Sequence, residues 1–402
     1  MKEQRKSNWI SKRHQVFRNT IGKIYEPIAM SKYNTRIEHY DYDGQYLILY
    51  NHQTPYDQFF VEYSFRKHIY FLATEDIFSN GFTSKLLCYF LGPVPIKKST
   101  VDIGALRACL KVVKEGGSLA IAPEGNRTYS GRTEYINPSI AGLAKKLGIP
   151  VLLFRIEGGY GVEPRWSDKA RAGENRAYVY KEISKEELES LSNEEIYQLI
   201  VEGLDVKENV AGSYKSEKRA EYIERMIYVC PDCGFSQFES NGNEFWCKKC
   251  NKKSLYGEDK TISGIGYEHS FKFAADWYDF QKDFVNKTDV TKLTDSPIFV
   301  DETNISKVIL YERKDPLYKN IKSKLYGNRI VFENDKEEFL TLMFDDISGI
   351  AVLGRNKLNV YHKDMVYQFS GNKRFNALKY LNIYTRYNNI KRGDQNVEFL
   401  GL

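Results

Sequence analysis

The chain has 402 residues, a length that predicts two or three domains rather than one. Hydrophobic residues make up 42% and charged residues 28%, which is typical of a globular protein and excludes a largely disordered one. No apolar run is long enough for a membrane-spanning helix, and the first residues lack the apolar core of a signal peptide. We therefore expect neither a membrane span nor a secretion signal.

The positive charge is concentrated in the first forty residues. Nine Lys or Arg and three acids give this segment 9 − 3 = +6, and the rest of the chain has 50 − 50 = 0. Residues 8–30 also carry apolar side chains at helical spacing, namely Ile10, Phe17, Ile21, Ile24 and Ile28, and cations fall largely between them. Pro27 is expected to kink or end this helix. Either the helix lies in a membrane interface as a basic amphipathic segment, or it packs on the body with a solvated basic face.

Short apolar runs alternate with amphipathic stretches between about residues 45 and 181. The runs have strand character over 46–50, 69–73, 118–122, 151–156 and 177–180. The stretches have helical character over 55–67, 82–91, 103–115 and 138–147. This alternation predicts an α/β layer with a largely parallel sheet. A further helix is expected over 181–203, where Ser184 and Glu187 form a capping box.

The first candidate site follows the strand over 46–50. His52 falls on the turn from strand to helix, Thr54 is a candidate N-cap, and Asp57 falls in the first helical turn. At this spacing a carboxylate can hold an imidazole in one tautomer, with the other ring nitrogen facing outward. Such a base without a protein nucleophile suits deprotonation of a substrate hydroxyl. The alternative is that Asp57 only caps the positive end of the helix.

Two further turns carry groups that suit an anionic ligand. After the strand over 118–122, Glu124 can accept from hydroxyls, Gly125 lets a ligand approach the backbone, and Arg127 matches phosphate oxygens. Lys97 and Lys98 follow an apolar turn. The alternative for both turns is a solvated loop, with a surface ion pair in the first.

These segments together resemble the glycerolipid acyltransferase family, that is, the 1-acylglycerol-3-phosphate acyltransferases. The family motif N-H-x-[ST]-x-x-D is matched at Asn51, His52, Thr54 and Asp57. The motif F-P-E-G-T-R is matched at Pro123, Glu124, Gly125 and Arg127, with Ala122 and Asn126 as departures. A further motif ends in Arg in the family and in Lys98 here. The resemblance covers about residues 40–180.

The resemblance implies transfer of an acyl chain from a thioester, acyl-CoA or acyl carrier protein, to a lysophospholipid-type acceptor. His52, oriented by Asp57, would take the proton of a glycerol hydroxyl as it attacks the thioester. Arg127, Lys98 and Lys97 would hold the phosphate of the acceptor. Glu124 would position its glycerol portion, beside Gly125. The substitution of Lys98 for Arg removes a bidentate contact and leaves the acceptor open.

Four of the six cysteines form two C-x-x-C pairs: Cys230, Cys233, Cys247 and Cys250. This spacing predicts a closed four-sulfur site for a structural Zn²⁺ and resembles a zinc ribbon. A closed site has no free coordination position, so catalysis at the metal is not expected. We expect the metal to stabilise a small domain or a docking element.

Alternating strands fill residues 297–370, and a helix is predicted over 373–387. The predicted strands cover 305–311, 329–332, 339–344, 350–353, 358–361 and 366–369. A meander of strands closed by one helix resembles the pleckstrin-homology-like fold, by its order of elements alone.

The predicted organisation has five parts. They are a basic amphipathic segment (1–35), an α/β acyltransferase domain (36–215), a zinc ribbon (222–258), a connecting helix (259–295) and a pleckstrin-homology-like, mostly β domain ending in a helix (296–402). The predicted function is O-acyl transfer in phospholipid biosynthesis or remodelling, at the cytoplasmic face of the cell membrane. Two other functions stay open: an inactive lipid-binding adaptor, and a nucleic-acid-binding protein. The neutral charge of residues 41–402 argues against nucleic acid as a partner.

Overall fold

The computed structural model describes residues 8–41, 44–97, 102–208, 211–334 and 338–393. The chain divides into two compact units. The first unit contains residues 1–128, 132–162 and 172–208, and the second contains 129–131, 163–171 and 209–402. The chain therefore enters the second unit twice before it continues there from residue 209.

A seven-stranded mixed sheet forms the centre of the first unit. Its strands are β1 (Thr35–Ile37), β2 (Leu47–Tyr50), β3 (Ile69–Thr74), β4 (Val94–Ile96), β5 (Ser118–Ile121), β6 (Val151–Glu157) and β7 (Asn175–Ile183). Their order is β1-β7-β6-β2-β5-β3-β4. Neighbours are parallel except β6 and β7, which are antiparallel. The α/β layer is confirmed, with one antiparallel pair and with two short edge strands, β1 and β4, that the apolar pattern did not predict.

Helices connect and cover this sheet. They are α3 (Asp57–Ser64), α4 (Phe82–Leu91), α5 (Ile103–Lys114), α6 (Ser139–Leu147), α7 (Gly159–Val162), α8 (Lys185–Ser190) and α9 (Asn193–Leu204). The core between sheet and helices contains Leu47, Leu119, Val151 and Leu153, all fully buried. Long apolar side chains on β2, β5 and β6 thus fix the strands whose ends carry the candidate site.

The N-terminal helix is divided by a π-helical turn. Residues Lys12–Phe17 form α1, Arg18–Gly22 form the π turn, and Lys23–Lys32 form α2. Ile10 packs against the core, whereas Ile24 and Ile28 are more than half exposed. A π turn holds more residues than an α turn, so it rotates the later apolar side chains away from the face that the earlier ones share. Pro27 was predicted to kink or end the helix; it lies inside α2, which continues to Lys32, so it does not end the helix.

The second unit begins with short antiparallel strands. These are β8 (Val229–Cys230), β9 (Gly234–Phe235), β10 (Phe238–Asn241), β11 (Glu244–Cys247), β12 (Lys253–Tyr256) and β13 (Ile262–Gly264). Strands β10 to β13 form one sheet in chain order, and β8 pairs with β9. The helix α10 (Ala274–Lys287) follows them.

An antiparallel half-barrel and a final helix complete the second unit. The strands are β14 (Phe299–Ile309), β15 (Arg313–Leu325), β16 (Arg329–Glu333), β17 (Glu338–Met343), β18 (Ile347–Leu353), β19 (Lys357–His362) and β20 (Met365–Gly371). Their order is β17-β16-β15-β14-β20-β19-β18, and the helix is α11 (Leu378–Arg392). The mostly β domain ending in a helix is confirmed.

Candidate active site

The imidazole of His52 and the carboxylate of Asp57 lie in contact where β2 leads into α3. The distance from His52 Nδ1 to Asp57 Oδ2 is 2.7 Å. Asp57 is fully buried, whereas 22% of the His52 side chain is exposed. A carboxylate on Nδ1 holds the proton there and leaves Nε2 as the basic nitrogen. This is the contact between imidazole and carboxylate that the sequence spacing predicts.

Main-chain donors of the turn fix the same carboxylate. Its Oδ2 accepts from the amide of Gln53 at 2.6 Å, and its Oδ1 accepts from the amide of Thr54 at 3.0 Å and from the Thr54 hydroxyl at 2.6 Å. The residue before α3 is Tyr56 and not Thr54 as predicted. The Thr54 hydroxyl nevertheless makes a capping contact, because it accepts from the Tyr56 amide at 3.1 Å. Such donors offset the cost of burying a charge and leave Asp57 a single orientation.

The loop after β5 holds the main chain of His52. One carboxylate oxygen of Glu124 accepts from the His52 amide at 2.7 Å, and the other accepts from the Glu134 amide at 2.7 Å. The Thr128 amide donates to the His52 carbonyl at 2.9 Å. Burial raises the pKa of Glu124 to about 8, against the two amide donors that lower it. The sequence suggested that Glu124 faces a ligand, but its oxygens lie on backbone amides.

The remaining candidate residues follow neighbouring strands. Arg127 comes after β5, next to β2, and is largely buried at 8% exposure. Gly125 has φ +70°, a conformation that glycine adopts without strain. Lys97 is exposed after β4, three strands from β2, or about 14 Å at the usual strand spacing. Lys98 lies outside the described residues. The carboxyl ends of these parallel strands meet at one edge of the sheet, where α/β proteins bind ligands.

Two residues of this site were not predicted as site residues. The side chain of Asn51 continues the pairing of β2 with β6 beyond Tyr50 and Phe154. It donates to the Ile156 carbonyl and accepts from the Ile156 amide, both at 2.8 Å. Gln53 accepts from the Tyr160 amide at 3.1 Å. Only the position of Asn51 and Gln53 next to His52 could have indicated them, because their partners Ile156 and Tyr160 are more than a hundred residues away in the chain.

The four predicted cysteines form one cluster in the second unit. Their sulfurs all lie within 4.8 Å of one another, and Cys230 Sγ and Cys250 Sγ are 3.8 Å apart. A tetrahedral Zn²⁺ with Zn–S of about 2.3 Å requires sulfurs about 3.8 Å apart, and a disulfide requires about 2 Å. The Lys249 amide donates to Cys247 Sγ, which favours a thiolate there. The cluster is therefore compatible with a structural metal.

Comparison with known proteins shows that the site lies in a segment similar to acyltransferases. Residues 32–156 match the family model described as Acyltransferase. A chloroplastic 1-acyl-sn-glycerol-3-phosphate acyltransferase of Brassica napus is 30% identical over 109 residues, which are 26% of this chain and 31% of that protein. The chain thus spans about a third of that relative. The crystal structure of the 1-acyl-sn-glycerophosphate acyltransferase PlsC of Thermotoga maritima matches 48% of this chain and 83% of its own, at 18% identity and a TM-score of 0.39.

The class of the N-terminal domain follows from the family match. The segment that contains His52, Asp57 and the loop after β5 matches the acyltransferase family model, and part of the chain is distantly similar to a 1-acylglycerol-phosphate acyltransferase.

Proposed function

We propose that the protein transfers a fatty acyl chain from a thioester to the hydroxyl of a lysoglycerophosphate-type acceptor, in phospholipid biosynthesis or remodelling. The observation that carries this proposal is the contact of His52 Nδ1 with the buried carboxylate of Asp57 at 2.7 Å. This contact leaves Nε2 of a partly exposed imidazole as a base. Direct transfer to a substrate hydroxyl requires such a base and no serine or cysteine nucleophile. The acyltransferase-family match supplies the reaction class.

The proposed reaction is one direct transfer. His52 Nε2 takes the proton of the acceptor hydroxyl while the hydroxyl oxygen forms a bond to the thioester carbonyl carbon. The tetrahedral intermediate collapses with cleavage of the C–S bond, and the imidazolium returns its proton to the departing thiolate. The products are an ester and a free thiol, and His52 is again neutral. Asp57 stabilises the imidazolium and stays ionised throughout.

Cations at the strand edge suit the phosphate of the acceptor. We assign this contact to Arg127, Lys97 and Lys98, and we assign to Gly125 the close approach of the ligand to the backbone. The donor is acyl-CoA or acyl carrier protein. Arg127 is only 8% exposed as a residue, so its side chain is held in place and loses little entropy on binding an anion, which favours Arg127 as the main contact.

The decisive experiment compares the wild type with His52→Ala. Purified protein receives labelled acyl-CoA or acyl carrier protein thioester and a panel of lysoglycerophosphate acceptors. We expect turnover by the wild type and a loss of about 10³-fold or more in the variant, because removal of a general base and its charge pair leaves only binding. Equal turnover by the two proteins contradicts the proposal.

Exposed apolar side chains favour attachment to an anionic lipid surface at the inner face of the membrane. Ile24 of α2 is 69% exposed and Phe82 of α4 is 74% exposed, and Leu86 and Tyr89 follow Phe82 on the same helical face. Among the described residues, no helix has the length and apolarity that crossing a bilayer requires. The +6 charge of residues 1–40 complements an anionic surface.

For the second unit we propose a zinc ribbon and a pleckstrin-homology-like domain. The zinc would be held by Cys230, Cys233, Cys247 and Cys250 and would act structurally, since four sulfurs close its coordination shell. The half-barrel of β14–β20 with α11 packed on it supports the second assignment. Tyr384 of α11 donates to the Ile347 carbonyl of β18 at 2.8 Å, which ties this helix to the half-barrel.

A further inference from the structure

The side chain of Glu124 is turned toward the main chain of the site. It is 4% exposed, and each of its two oxygens accepts from a backbone amide at 2.7 Å, one from His52 and one from Glu134. A residue that binds the glycerol portion of an acceptor presents its oxygens to the ligand. The geometry of Glu124 is that of a support for the turn that carries His52.

Glu124 and Thr128 extend the pairing of two parallel strands beyond its last rung. The ladder between β2 and β5 ends at the pair Leu49 and Ile121. Beyond it, Glu124 accepts from the His52 amide and the Thr128 amide donates to the His52 carbonyl. Both polar groups of the His52 main chain are therefore held by one loop, while Asp57 holds the imidazole.

A carboxylate is the side chain that this arrangement requires. Both bound atoms are N–H donors, so both side-chain oxygens must accept, and an amide side chain offers only one acceptor. The buried charge is costly, as the raised pKa of Glu124 indicates. Two short amide hydrogen bonds offset part of that cost, and their effect falls on the position of His52.

We infer that Glu124 is a positioning residue for the base His52, acting through the main chain, and is not a ligand of the acceptor. This inference rests on the proposed acyl transfer. A shift of the reacting nitrogen by about 1 Å can cost about 100-fold in rate without changing how the substrate binds. Loss of Glu124 therefore acts on kcat and spares KM for the acceptor.

The test compares Glu124→Gln and Glu124→Asp with the wild type and with Glu62→Gln. Glu62 is a matched control because it is also a buried carboxylate that accepts from a backbone amide, that of Ile69 at 2.9 Å, away from the His52 turn. Only variants with wild-type circular dichroism are compared, and Glu124→Asp keeps the test open if Glu124→Gln does not fold. We expect kcat to fall about 10- to 100-fold in both Glu124 variants with acceptor KM within about twofold, and little change in Glu62→Gln.

Three kinetic outcomes overturn the inference: an acceptor KM raised about tenfold with kcat unchanged, wild-type kinetics, or an equal loss of kcat in Glu62→Gln. If the wild type and His52→Ala turn over alike, the proposed function fails, and a second readout still decides the positioning role. In protein with ¹⁵N-labelled histidine, the His52 amide is identified by its absence in His52→Ala. Its proton is expected at low field in the wild type and shifted upfield in Glu124→Gln; an unchanged resonance contradicts the inference.

Discussion

Asp57→Asn is expected to remove most of the proposed activity while the chain stays folded. The carboxylate has donors on both oxygens: His52 Nδ1 and the Gln53 amide on one, and the Thr54 amide and hydroxyl on the other. Asparagine offers one oxygen and one NH₂ group. If the NH₂ group faces His52, Nδ1 must accept, the ring proton moves to Nε2, and the base is lost.

The size of the effect follows from these contacts. With the oxygen toward His52, the tautomer is kept, but the charge that stabilises the imidazolium is gone and the NH₂ group opposes the Thr54 amide. We expect kcat to fall about 10³- to 10⁴-fold, as for removal of the charge from a His-carboxylate pair, which is about 4 to 5 kcal/mol. The loss of buried charged hydrogen bonds should also lower the free energy of unfolding by about 2 to 4 kcal/mol.

Steady-state acyl transfer and urea unfolding measure the two effects separately. Asp259→Asn is a matched control, because Asp259 also accepts from the amide and hydroxyl of a threonine, Thr261, at 3.0 and 2.6 Å and contacts no imidazole among its described hydrogen bonds. This control should lose stability and keep kcat. A folded Asp57→Asn protein that retains a third or more of wild-type kcat refutes the assignment of Asp57 as the carboxylate that orients the His52 imidazole.

Three further predictions concern metal, membrane and pH. Purified protein should contain about one zinc per chain, and Cys247→Ser should lower both the metal content and the urea midpoint; full stability in excess chelator argues against the metal site. Ile24→Asp should weaken co-sedimentation with anionic vesicles about tenfold or more, whereas Leu317→Asp, which changes an exposed side chain of the second unit, should not. Burial and the neighbouring His68 lower the pKa of His14 from 6.5 to about 4, so the folded chain binds fewer protons in this window and stability falls as pH drops from 6.5 to 4. His14→Gln should flatten this part of the urea midpoint against pH, and superimposable curves would contradict the reasoning.

Local signals predicted much of the first unit. The bounds of α4 agree with the prediction because Gly81 and Gly92, both with positive φ, interrupt the apolar helical pattern on either side. The stretch over 181–203 was predicted as one helix but contains two, because Ser192 begins a second helix with its own capping box. The two ends of α4 and the start of the helix after Ser192 are therefore encoded by residues close to them in the chain.

The long strand β15 was not predicted because its sequence has no apolar alternation. Between Arg313 and Asn320 every residue is partly or fully exposed, so neither face selects apolar side chains. Cations and Pro316 there are typical of an edge, since β16 pairs only with Lys322–Leu325. Its strand conformation comes from pairing with β14, which a local pattern does not contain.

The contacts of the candidate site are likewise of two kinds: some are set by residues close in the chain, and others by the order of strands in the sheet. The contact between His52 and Asp57 could be predicted because both residues lie on one strand-to-helix turn, five positions apart. The partners of Glu124 could not, because they depend on β2 and β5 being neighbours in the sheet. Residue types alone therefore suggested a ligand contact for Glu124 where the fold supplies a main-chain one.

The arrangement around His52 also bears on the alternative of an inactive lipid-binding adaptor. Asp57 and Glu124 are both buried, and the pKa of Glu124 is raised by its burial and, to a smaller extent, by the negative charges of Glu134 and Asp57, which makes its ionisation costly. A domain that only binds lipid gains nothing from this cost, because uncharged side chains could close the same turn. An imidazole that transfers protons benefits from both carboxylates, because Asp57 fixes its tautomer and Glu124 fixes its main chain. The adaptor hypothesis predicts that His52→Ala keeps both vesicle binding and every cellular effect of the protein; loss of acyl transfer with vesicle binding retained would separate the two functions in favour of catalysis.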